Sequence, residues 1–294
     1  IMLAILRKEL SDYFNSTRFI ALFVLMLGLS ALALYSASSG IRGSGSQGFI
    51  FLKLFSTEPT GMTSFSFLLN YVNFLPLIFI PLFGIVLGFD SINRERASGT
   101  LSRILSQPVY RDSVINGKFL GSFIVLAVIM TSSILIIAGF GIRMIGIPPT
   151  TEEIIRLFLF LVFLMIYGVF WISLSILFSV MFRNLSTSII CSILAWLVLS
   201  FGILFLAMAM QDSSILNFSP NWLFGQASAM LLFPTVRTLG TLTAEQTAFM
   251  LPNPLSLGQS LLVIWPYIVG LVSLSSVCFA ASYLVFMRQE VRAN

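Results

Sequence analysis

The residues able to form strong polar contacts crowd into one stretch. Asp90, Arg94, Glu95, Arg96, Arg103, Arg111, Asp112 and Lys118 make eight of the chain's 16 basic and 11 acidic residues. The stretch reads Asn93-Arg-Glu-Arg-Ala-Ser-Gly-Thr-Leu-Ser-Arg-Ile-Leu-Ser-Gln-Pro108. Ala97, Leu101, Ile104 and Leu105 recur at helical spacing, with Arg96, Ser102 and Arg103 on other faces. This predicts a short amphipathic helix, with Gly99 a weak residue in its middle and Pro108 ending it. Such a helix would lie across the ends of two spans, with its polar face toward the cytosol. A solvated connector would account for the arginines but has no need of the apolar stripe.

Little else in the chain suggests chemistry. There is no histidine, which removes His-based catalysis and zinc-protease designs. No metal site is expected. Met208 and Met210 could hold copper(I), but flexible apolar filling explains them as well. Gly43-Ser-Gly-Ser-Gln-Gly48 has the spacing of a dinucleotide loop but no strand before it, so it reads as a flexible turn. No phosphate-binding Walker sequence occurs, so the chain is not expected to hydrolyse ATP alone or to be an enzyme by itself. Thr131, Ser132 and Ser133, and Ser273, Ser275 and Ser276, could line a polar path or bond back to their own helices. Cys191 and Cys278 read as packing residues.

The elements that must position the charged stretch are written in apolar residues. These make up 57% of the chain, against 9% charged; a soluble domain carries roughly 25% charged residues. Long uncharged windows separate Arg18 from Arg42, Glu58 from Asp90, Lys118 from Arg143, Arg156 from Arg183, Arg183 from Asp212, and Glu245 from Arg288. Each exceeds the roughly 20 residues of a membrane span. The expected fold is all-α and integral to the membrane. Its six spans are Phe19–Ser36, Tyr71–Phe89, Phe119–Ile142, Ile155–Phe182, Ser186–Met210 and Leu262–Met287.

A seventh window, Asp212 to Arg237, carries Asn217, Pro220, Asn221 and Gln226 and reads as interfacial or re-entrant. Residues 1–17 form an N-terminal amphipathic surface helix. Leu3, Leu6 and Leu10 lie on one side of it, and Arg7, Lys8 and Asp12 on others. Residues 90–117 form the charged loop and residues 211–260 the longest outer loop. The first apolar run is too long for a cleavable signal peptide. With both termini cytoplasmic, 11 basic residues lie inside and 5 outside, as the positive-inside rule prefers. No ionisable group lies deep in a span, which argues against an ion-coupled carrier.

Glu95-Arg-x-x-Gly99-Thr100-Leu101, followed by Leu105, Pro108, Arg111 and Gly117-Lys118, resembles the signature loop of ABC type-2 transporter permease subunits. The likeness is strongest to stand-alone six-helix exporter permeases of the sodium-exporter and nitrous-oxide-reductase maturation types. Arg7-Lys8-Glu9-Leu10 resembles their N-terminal helix. Ser102 departs from the family, which often has an acidic residue there.

The resemblance implies that the loop between helices two and three is a cytoplasmic coupling helix seated in a separate ABC ATP-binding subunit. Its contact residues would be Arg94, Glu95, Arg96, Gly99, Thr100, Leu101, Arg103 and Leu105, with Arg183 and Asn184 a second contact. It implies two ATP-binding subunits, which hold ATP and Mg, and a second permease copy or paralogue. It also implies a prokaryotic plasma or inner membrane, no cofactor on this chain and no nucleic acid. The outer segment with Trp222 and Phe224 would cap an exit. Two small-residue pairs, Gly84/Gly88 and Gly117/Gly121, would let helices approach closely beside the loop. The competing functions are a membrane scaffold or assembly factor that moves no solute, and a passive channel.

Overall fold

A computed structural model describes residues 2–43, 51–55, 78–100, 110–146, 148–232 and 256–288. Leu101, Arg103, Leu105, Pro108 and the Gly-Ser run after Gly43 lie outside the described residues, as do positions 71–77 of the expected second span. Among the described residues all regular structure is helical. Helix α1 is Met2–Phe14 and α2 is Thr17–Gly43. A single 3-10 turn covers Leu52–Leu54, α3 is Ile80–Gly88 and α4 is Asn93–Ala97. The long α5 (Arg111–Ile145) and α6 (Thr151–Met181) follow, then α7 (Leu185–Leu197) and α8 (Ile203–Met210), joined through a π-turn at Val198–Gly202. A 3-10 segment, Ser213–Phe218, leads to α9 (Pro220–Leu232), and α10 is Leu257–Arg288.

Five of these stretches are long and apolar enough to cross a membrane: Thr17–Tyr35, Arg111–Met144, Thr151–Met181, Leu185–Met210 and Leu257–Arg288. They match five of the six expected spans. Only the end of the remaining one, as α3, is described.

Helix α6 is the hub. It packs on α10, α3, α5, α9 and α7 and buries Phe160, Leu164, Tyr167, Trp171, Ile172 and Ile176. Its start is fixed by a capping box. Thr150 Oγ1 accepts from Glu153 N at 3.3 Å, and Glu153 Oε2 accepts from Thr150 N at 2.8 Å. The other Glu153 oxygen accepts from Phe51 N at 3.0 Å, tying in the 3-10 turn.

Both glycine pairs sit where helices touch. A Cβ on Gly84 would lie 2.5 Å from Trp171 Cβ, and one on Gly88 2.7 Å from Ser175 Cβ, so α3 lies backbone-close against α6. On Gly117 and Gly121 a Cβ would meet Ile5 Cγ2 at 2.9 Å and Glu9 Cβ at 3.1 Å. The second pair therefore receives α1 rather than another span.

Beyond Met210 the chain doubles back. Ser219 Oγ donates to Leu199 O at 2.9 Å, eleven residues and ~16 Å below the end of α8 at 1.5 Å per residue. Helix α9 then climbs: Phe224 stacks on Tyr167 at 4.9 Å, and Leu231 O lies beside Arg156. At 13 residues α9 is ~20 Å long, short of the ~30 Å apolar core of a bilayer.

Candidate partner-docking site

The site gathers at one end of the bundle, where α1, the starts of α2, α5 and α7, and the ends of α3 and α6 meet around α4. Helix α3 stops at Gly88 and the chain crosses the helix ends as α4. Its first amides are held by α6, as Ser179 Oγ accepts from Ile92 N at 3.1 Å and Asn93 N at 3.3 Å. Ser188 Oγ of α7 donates to Phe89 O at 3.0 Å. Thus α4 lies over the turn Phe182–Asn184.

The predicted helix does not run through Gly99. Helix α4 ends at Ala97, and Gly99 takes a left-handed φ of 69°. The Ser98 and Thr100 hydroxyls lie 3.3 and 3.2 Å from Glu95 O and 2.8 Å from each other, so their two protons cap that carbonyl directly or through the neighbouring hydroxyl. These carbonyl-capping bonds compete with the helical ladder, and glycine accepts the left-handed turn without a Cβ clash. What stands out from the bundle is a knuckle with Arg94 and Ala97–Gly99 exposed. Exposed Arg183 and Asn184 lie on the neighbouring turn. Arg96 is half-buried, and burial together with the like charge of Arg183 lowers its pKa. An acidic group arriving at this surface would relieve that repulsion.

Glu95 turns the other way. Its Oε1 lies 3.0 Å from Lys118 Nζ and 3.3 Å from Lys8 Nζ. Lys118, only 3% exposed, also donates to Glu9 Oε1 at 2.9 Å. Burial works against the Lys8 ammonium, but Glu95 and Glu9 outweigh it and raise its pKa. Arg18 pairs with buried Asp90 and lies over the Phe89 ring at 5.4 Å. Tyr13 OH donates to Leu87 O at 2.7 Å and meets Ser122 Oγ at 2.9 Å; burial pushes its phenol pKa well up. Ser91 Oγ, both amide atoms of Asn93 and Glu95 Oε2 are buried without a hydrogen-bond partner among the described residues.

The structure thus brings together Lys8, Glu9, Arg94, Glu95, Arg96, Gly99, Thr100, Arg183 and Asn184, while Arg7 stays exposed on α1. Sequence reasoning placed Asp90 and Lys118 in the charged stretch without giving them a contact, and gave no site role to Arg18, Tyr13, Ser179 or Ser188. A charge placed one turn before a long apolar run was the available signal for Lys118.

The opposite end holds a different cluster. Arg156 is 0% exposed. It donates to Glu152 Oε1 through Nε (3.0 Å) and Nη2 (2.7 Å), and through Nη1 to Leu231 O (3.2 Å) and Ser260 Oγ (3.3 Å). Phe224 is core and Trp222 half-buried. Along the bundle, Ser132, Ser273 and Ser275 bond back to Val128 O, Gly270 O and Leu271 O, and Ser133 bonds Ser30. An apolar groove of about 530 Å³ lies between α5, α6 and α10. Met208 and Met210, two apart on a helix, point to different sides.

A bundle of membrane-length apolar helices with charged clusters at its two ends defines a multi-pass membrane protein. The family described as ABC-2 family transporter protein matches residues 3–291, and the chain belongs to it. Over 150 residues it is 29% identical to the probable ABC transporter permease protein NosY of Stutzerimonas stutzeri, covering 51% of this chain and 46% of that one. Over 154 residues it is 27% identical to the protein of the same name from Pseudomonas aeruginosa, covering 52% and 48%. The chain spans about half the length of these curated relatives.

Proposed function

We propose that the chain is the membrane-spanning permease subunit of an ATP-driven exporter, coupled to a separate ABC ATP-binding subunit. In this reading two such subunits bind ATP and Mg, and a second permease copy or paralogue completes the complex. Six spans place both termini in the cytoplasm, and Ser213–Leu232 re-enters from the outer side. The observation that carries the reading is the knuckle. Arg94 and Ala97–Gly99 stand exposed beside Arg183 and Asn184, while Glu95 anchors the same five-residue helix to Lys118. A partner pressing on the knuckle would move the start of α5 through that ion pair, and α3 through the covalent chain.

The basic triad Arg94, Arg96 and Arg183 calls for an acidic face on the partner. Arg94→Ala/Arg183→Ala should weaken co-purification with the ATP-binding subunit about ten-fold while leaving the permease folded. Unchanged complex formation would exclude the knuckle as the dock. Assembly and ATP hydrolysis without movement of a solute would make the chain a scaffold instead.

A further inference from the structure

The N-terminal helix reads from its sequence as an element lying on the membrane surface, yet its face with Ile5, Glu9 and Tyr13 is built into the bundle, while Arg7, Lys8 and Asp12 stay exposed. Glu9 is buried against Lys118, and Gly117 and Gly121 on α5 leave room for Ile5 and for Glu9 itself. Tyr13 reaches past α5's Ser122 to the last carbonyls of α3. Lys8 crosses to Glu95.

One ammonium is central to these contacts. Lys118 lies between Glu9 of α1 and Glu95 of α4, at 2.9 and 3.0 Å. Without Lys118, buried Glu9 would lose its ion-pair partner among the described residues, which is strongly unfavourable, and Glu95 would keep only the half-exposed Lys8. The seating of α1 and the seating of α4 therefore depend on each other through α5.

We propose that Lys118 is a positioning residue that clamps the N-terminal helix to the 90–100 segment, making α1 a second arm of the coupling unit. The inference rests on the coupling reading above. When a partner moves the knuckle, Lys118 carries α1 along with it. A partner that loads the exposed Arg7 and Lys8 side of α1 moves the knuckle in turn. Membrane attachment alone would require none of this, because a surface anchor has no use for a buried carboxylate paired to a span.

The test uses the full chain in complex with its ATP-binding subunit, in phospholipid nanodiscs. Two quantities are read. One is ATP hydrolysis by the complex relative to the ATP-binding subunit alone. The other is amide hydrogen exchange over residues 2–14. Lys118→Met and the milder Glu9→Gln should each raise exchange in α1 and cut the permease-dependent change in hydrolysis by about five-fold. Lys118→Arg, which can serve both carboxylates, should keep both near wild type. Glu9→Gln leaves the Lys118–Glu95 pair intact, so it remains informative if Lys118→Met does not fold. Loosening of α1 with unchanged hydrolysis, lost hydrolysis with α1 still protected, or no change in either would each overturn the clamp. A wild-type complex whose hydrolysis ignores the permease would instead bring down the coupling reading, and the clamp with it.

Discussion

The two ends of the bundle both bury charge, and they bury it differently. At the Arg156 end one guanidinium is fully enclosed and makes four hydrogen bonds to described residues. They join α6 to α9 and α10, and the neighbouring Glu153 closes a capping box. At the Lys118 end the charge is divided among α1, α2, α4 and α5 and the segment after α3. Four buried polar atoms there, on Ser91, Asn93 and Glu95, have no partner among the described residues. Helix α4 is only five residues long and ends in a left-handed glycine. A satisfied polar node fixes one geometry, whereas a partly satisfied one leaves alternatives close in energy. The first end is built to hold, and the second to respond.

The contrast sets an order of effects. The largest should come from the wall shared by both ends. Gly84→Val would drive a side chain into Trp171 and the α6 backbone, costing ~3 kcal/mol or more, and the yield of folded protein from detergent extraction should collapse. Arg156→Met should come next. It strands Leu231 O and Ser260 Oγ, although half-exposed Glu152 can rehydrate. We expect a loss of ~1–3 kcal/mol in thermal unfolding, with permease-dependent ATP hydrolysis retained. Gly99→Ala meets open space and costs only the ~1 kcal/mol of a left-handed alanine, yet it should uncouple hydrolysis because it distorts the knuckle. Lys8→Ala should be the mildest, at ~0.5 kcal/mol or less, since that ammonium is half in solvent and Lys118 still serves Glu95.

The spans were legible because lipid demands long uncharged runs. The expected Ile155–Phe182 and the observed Thr151–Met181 differ by one residue at the end and by the first turn at the start, where the capping box is spelled Thr-x-x-Glu. The Arg156–Glu152 pair was legible too, being one helical turn apart. The Lys118–Glu9 bond was not, because 109 residues separate its ends and only the fold of α1 onto α5 brings them together. Hydrophobic spacing carried the expected helix through Gly99. The hydroxyls of Ser98 and Thr100, able to cap Glu95 O, were the local signal against it. Arg94 and Glu95 are neighbours in the charged stretch, and sequence could not tell that one faces out and the other in.

The most direct test compares Gly99→Ala with Arg156→Met in complexes with the ATP-binding subunit, reading permease-dependent ATP hydrolysis at a temperature where both variants stay folded. The account predicts that Gly99→Ala loses most of that dependence and Arg156→Met keeps it. Equal loss in both, or loss in Arg156→Met alone, would contradict the claim that the Lys118 end is where the partner acts.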